Sequence, residues 1–176
     1  MSLPTWQELL RPWIIRQNRV AILGIGNPLR SDDAAGVLVA RRLADSALIR
    51  DLDSVLVIEA GHAPENATAE LRRFAPQVVL LIDAAEMGEA PGTIRRVAME
   101  EIDGMSASTH TLPLSMLAKY LILELGCDVR VLGIQPHSTE IGESVSRDVL
   151  QAVEEIVNEC TKSLAEKVTF VHQTSN

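Results

Sequence analysis

Four side chains in this sequence have the types and placement for chemistry at a metal or a peptide bond. The stretch GIGNPLRSDDAAG, residues 24–36, sets Asp32 and Asp33 side by side just after a G-x-G turn. Asp83 closes the apolar run QVVLLIDA, and His110 stands between two threonines ahead of LPLSMLAKYLILELG. Two carboxylates and one imidazole form a donor set suited to borderline divalent ions such as Ni, Zn, Mn or Fe, without selection by thiolates. A structural zinc site normally takes four ligands, mostly Cys or His. Three ligands leave a position open, which fits a metal whose remaining ligands arrive with a substrate.

Each residue also has a plainer reading. Ser31 or Asp32 is a natural N-cap for the helix that follows, or a first-turn acid complementing the helix dipole. Capping needs only one acid, so Asp33 faces either solvent or a site. Asp83 ends an apolar strand, where an unpaired charge is costly, so it requires a partner, a metal or water. His110 reads as a ligand or as a capping histidine. Glu59 and His62 end a second strand, His62 being a surface residue or an extra group at the rim. Cys127 and Cys160 read as core thiols, and His137 and His172 as surface residues. A dinucleotide-binding loop is the weakest reading: Leu29 occupies the place of the third glycine, and two acids oppose a pyrophosphate.

The elements that must position these groups follow from the apolar pattern. Residues 19–26, 53–61, 77–84 and 128–135 read as strands ending at glycine or polar punctuation. The third is apolar on both faces, which marks it as central in a parallel sheet. TIRRVAM, after Gly88 and Pro91-Gly92, alternates and reads as an edge strand. Helices are expected from the SDDAAG stretch onward, over Pro64–Ala75, over Thr111–Gly126 with Pro113 in the first turn, and from about Ser146 to Lys167. Strands alternating with helices predict a three-layer α/β/α sandwich around a mostly parallel, twisted sheet of about five strands. The single domain is expected over 19–167, with a helical extension at 1–18 and a tail at 168–176. The amphipathic extension TWQELLRPWIIRQN packs on the domain or contacts a partner, with packing the simpler expectation. In open sheets of this kind ligands bind beyond the carboxyl ends of the strands, where Asp32, Asp33, Glu59, His62 and Asp83 all fall.

Composition narrows the function classes. The chain has 176 residues, 47% of them hydrophobic, and a net charge of −8, which suits one globular domain and argues against sequence-independent nucleic-acid binding. Two cysteines give neither a disulfide framework nor a C-x-x-C metal spacing, as expected in a reducing cytosol. No run reaches the roughly 18 apolar residues of a membrane span, and the N-terminal segment lacks a signal-peptide pattern.

Five segments, ILGIGNPLRSDDAAG, VIEAGHAPEN, LLIDAAEMGEAPGTIRR, STHTLPL and LGIQP, occur in this order. Together they resemble the hydrogenase maturation endopeptidases, especially the type that processes the hydrogenase 3 large subunit, from about Ile22 to Val157. The resemblance implies a cytoplasmic peptidase, monomeric and without a permanent cofactor. It would remove a C-terminal extension from the precursor of a [NiFe]-hydrogenase large subunit after nickel insertion, with the substrate's nickel as recognition signal. By motif, the family's nickel-contacting residues fall on Asp33, Asp83 and His110. Asp33 or Asp83 would orient or deprotonate the attacking water while the metal polarises an oxygen, with Asp32 supporting them from behind. Two acids sharing a proton are the alternative mechanism. Two other readings are a peptidase or amidase carrying its own metal, and a non-catalytic nickel-sensing chaperone. Stoichiometric metal in the purified protein would favour the first of these, and cleavage of the precursor would exclude the second. The loop from Gln135 to Ser146, with a turn at Gly142, is expected to contact the precursor.

Overall fold

A computed structural model describes residues 4–105 and 112–174. The sheet has five strands, β1 (Val20–Ile25), β2 (Val55–Gly61), β3 (Val78–Ala84), β4 (Ile94–Val97) and β5 (Asp128–Ile134), in the order β2-β1-β3-β5-β4. All pairings are parallel except β4 with β5, which is antiparallel. Every residue of β1 and β3 is buried, which is why both read as unbroken apolar runs: helices cover the two faces.

On one face lie α1 (Trp6–Ile15), α2 (Ala35–Asp45), the short α3 (Ala47–Arg50) and α7 (Arg147–Thr174). Leu10, Ile14, Val39, Leu43, Val153, Ile156 and Leu164 meet Ile22, Leu80 and Ile82 there. On the other face lie α4 (Thr68–Phe74), the short α5 (Ile102–Met105) and α6 (Leu114–Leu125). Leu71, Leu117 and Leu121 meet Leu23, Val79 and Leu81 in this second core. The three layers and mostly parallel sheet agree with the sequence reading.

Several boundaries differ from the sequence expectation. The α1 extension packs on the domain, with Leu10 and Ile14 buried, and Thr5 and Glu8 close a capping box at its start. Helix α7 continues to Thr174, past the expected end at Lys167, because the sequence there offers no glycine or proline to stop it. Pro113 is the N-cap of α6 and lies just outside its first turn. Helix α4 begins as a 3-10 turn over Pro64–Ala67 and ends at Ala75, a non-glycine residue with φ of 51°. Left-handed backbone costs an L-residue about 1 kcal/mol, so Ala75→Gly is expected to stabilise the protein by about 0.5 kcal/mol net of the entropy glycine gains when unfolded. A small rise in thermal midpoint checks this.

The site end of the sheet is set by topology. The chain leaves β1 toward β2 on one side and later returns to place β3 on the other side of β1. The carboxyl ends of β1 and β3 therefore flank a topological switch point, where the crossing connections leave a crevice.

Candidate active site

Glycines let the chain close over this crevice. A Cβ at Gly24 would lie 2.1 Å from the Gly36 carbonyl oxygen, and one at Gly36 would lie 2.1 Å from that of Ile82 and 2.4 Å from that of Ile25. Helix α2 thus rests its first turn directly on the ends of β1 and β3. Gly26 has φ of 129°, and a Cβ there would lie 1.8 Å from the Asp33 carbonyl oxygen, so the turn after β1 folds back against the acids.

The acids occupy a 3-10 turn, Ser31–Ala34, whose four residues are all buried. Neither Ser31 nor Asp32 caps α2 with its side chain; the N-cap is Ala34, and no side-chain capping bond forms. The expected cap is replaced because Asp32 is engaged elsewhere. Its Oδ1 accepts the Ser146 N–H at 2.6 Å, and its Oδ2 accepts the His137 N–H at 2.7 Å, the Ser138 N–H at 3.3 Å and the Ser146 hydroxyl at 2.9 Å. The Asp32 N–H in turn donates to the Ser138 carbonyl at 3.1 Å. Asp32 is wholly buried, and four donors from one loop compensate its charge. This carboxylate clamps residues 137–146 onto the turn.

Further bonds between the same two segments complete the clamp. Arg30 Nε donates to the Thr139 carbonyl at 3.1 Å, and the Ser31 hydroxyl to that of Ser144 at 2.9 Å. Ser31 adopts φ of 41°, a left-handed conformation uncommon outside glycine. Replacing Asp32 by Asn would turn an NH2 group toward N–H donors. We expect a loss of about 2 kcal/mol, with faster amide hydrogen exchange confined to residues 137–146.

Asp33 is also fully buried. Its Oδ2 accepts the Asn27 N–H at 2.9 Å, while Asn27 Oδ1 accepts the Leu29 N–H at 3.0 Å, so the turn itself fixes the carboxylate. Asp83, 2% exposed, is in register with Gly133 of β5. It lines a small cavity with Ala85, Val97, Ile102, Met105 and Leu114 on the α5–α6 face. The 3-10 turn packs against β3, so both acids sit at the β1–β3 switch point. His110 lies outside the described residues. Among the described residues no group of three His, Cys, Asp or Glu side chains could hold a metal ion.

The remaining candidates fall away from this rim. Glu59 pairs with Arg41 at 2.9 Å on the edge strand β2, and His62 is exposed just beyond it. His137 is exposed and meets Asp32 only through its backbone. Cys127 and Cys160 are free and buried; burial pushes both thiols up, Cys160 to about 12, so neither is a thiolate nucleophile. The side chain of His172 lies outside the described residues. Three residues were not legible as site residues in the sequence: Asn27, Ser146 and Gln135. Gln135, buried at the end of β5, accepts the Met87 N–H at 2.7 Å and donates to Glu86 at 2.9 Å, tying the loop after Asp83 to β5.

Among the described residues, no helix is long and apolar enough to cross a membrane. Comparison with known proteins gives a consistent match. The hydrogenase maturation protease family model (HycI) matches residues 37–163. The Escherichia coli K12 hydrogenase 3 maturation protease is 34% identical over 136 residues, 77% of this chain and 84% of that protein. A putative hydrogenase maturation protease of Methanocaldococcus jannaschii is 32% identical over 156 residues, 86% of this chain and 92% of its own length. The crystal structure of a [NiFe] hydrogenase maturation protease, HycI of Thermococcus kodakarensis KOD1, superposes with a TM-score of 0.80 at 32% identity, covering 89% of this chain and 99% of that one. With the fold and these matches in agreement, this chain belongs to the hydrogenase maturation protease family and is a peptide-bond hydrolase.

Proposed function

We propose that this protein cleaves a C-terminal extension from the precursor of a [NiFe]-hydrogenase large subunit, after nickel has entered that precursor. The observation that carries the reading is the pair of buried carboxylates, Asp33 and Asp83, held at the β1–β3 switch point by elements that leave them little freedom. Buried carboxylates at such a rim are candidates for a functional site, and a cation delivered by the substrate would find two of them there.

In this reading the nickel is cargo, and the peptidase has no permanent cofactor. Asp33, Asp83 and His110 contact it transiently. One carboxylate takes a proton from water as the water oxygen attacks the scissile carbonyl. The proton then passes to the leaving amine as the C–N bond breaks, and the substrate's metal offsets negative charge developing on oxygen. Asp32 acts only by holding the loop that closes the rim. The protein works in the cytoplasm as a monomer.

The test mixes the protein with its cognate precursor, nickel-loaded and nickel-free, and follows the precursor C-terminus by mass spectrometry. Clipping only in the loaded sample is the expected result. Clipping in both keeps the peptidase and removes the nickel requirement. Binding without clipping in either would move the protein to a sensing role.

A further inference from the structure

Leu29 occupies the position where a phosphate loop needs glycine, and the peptidase chemistry has no use for its side chain. That side chain is 72% exposed, and Ile141 is 76% exposed. The two stand on adjoining backbone, because the Gly142 N–H donates to the Leu29 carbonyl at 3.1 Å. Single exposed hydrophobics are ordinary on a protein surface. These two are unusual in their support: the segments that carry them are joined by the Asp32 cluster, by Arg30 to Thr139 and by Ser31 to Ser144. Apolar side chains on backbone already fixed lose little further entropy when a partner covers them.

Position and charge narrow the partner. Leu29 shares its turn with Asn27, the residue whose N–H holds Asp33, so whatever covers Leu29 lies beside that acid. Glu140 and Glu143 flank Ile141, and both are exposed. The nearby Arg30 has its Nε committed to Thr139, and the chain as a whole carries −8. Two exposed apolar side chains on joined backbone, with glutamates beside one of them, are complementary to an apolar side chain accompanied by Lys or Arg.

We propose that Leu29 and Ile141 form a docking knuckle for the precursor protein, which presents there an apolar side chain next to a basic one. This rests on the reading of the protein as a precursor peptidase. Two measurements separate the ideas: steady-state cleavage of the nickel-loaded cognate precursor, and equilibrium binding of the nickel-free precursor, which that reading leaves uncut. The double variant Leu29→Ser, Ile141→Ser is expected to raise KM and Kd by about 10-fold or more. Its kcat should stay within about twofold of wild type, and its thermal midpoint should not move, because both side chains are already in water. Glu140→Lys should weaken binding about threefold at low salt, and the difference should vanish at about 1 M salt. An unchanged Kd in the double variant, or a fall in kcat at constant KM, would overturn the knuckle. So would tighter binding by Glu140→Lys. If sedimentation shows self-association that the double variant loses while precursor binding survives, the patch belongs to a second copy and the proposal fails. A wild-type protein that binds precursor through these residues yet never cuts it would keep the knuckle and remove the peptidase reading.

Discussion

Asp33→Asn and Asp83→Asn are each expected to lower kcat for precursor cleavage by about 100-fold or more, with thermal midpoints within about 4 °C of wild type. The amide is nearly isosteric, and at position 33 its oxygen can still accept the Asn27 N–H that the carboxylate accepts at 2.9 Å. The turn therefore stays in place. What the amide cannot do is take a proton from water or balance a cation. Both residues are essentially buried, at 0% and 2% exposure, so neighbouring water cannot readily replace the lost charge. Cleavage at the normal rate by both variants would eliminate metal-assisted hydrolysis and the shared-proton mechanism together. Loss in only one would assign the water to that acid and leave the other with metal recognition. Circular dichroism on the same samples guards against a trivial loss of fold.

Gly36→Ala should be strongly damaging for a single added methyl, costing about 3 kcal/mol or more. The added Cβ would fall 2.1 Å from the Ile82 carbonyl oxygen and 2.4 Å from that of Ile25. These are backbone atoms of β3 and β1, and no rotamer change relieves the clash. Alanine is otherwise the better helix former, so an unaltered or raised stability would mean that α2 does not rest on the strands as described. The expected midpoint shift is a fall of about 6–12 °C. Activity should fall further than stability alone explains, because moving the start of α2 also moves Asp33 relative to Asp83.

The fold was readable because its central strands announce themselves. The run VVLLIDA reads as a strand apolar on both faces, and all seven of its residues are buried. The placement of Asp33 and Asp83 at the rim was readable for a related reason, since polar atoms at the ends of such runs fall at the rim of the sheet. The task of Asp32 was not. Its partners lie 105 to 114 positions away, and local pattern offers only capping as a use for an acid before a helix. Ser146 looked like an ordinary residue at a helix start for the same reason. The split of α2 into a 3-10 turn and a helix was also hidden, because both have similar apolar spacing and only the clamp distinguishes them. The resemblance by motif contributed what periodicity could not: the expectation, still a proposal, that three separated residues act on one cargo.

The Asp32 clamp also bears on the order in which the molecule becomes competent. It joins the turn after the first strand to residues just before the last helix, so it closes one of the longest loops in the chain. Contacts of such sequence separation are slow to form, because the chain entropy of closure must be met before they contribute. A nascent chain still on the ribosome has Asp32 and Asp33 long before Ser146 emerges, and until then the rim has no far wall. The clamp therefore forms only after residues 137–146 have joined the chain, late in its synthesis.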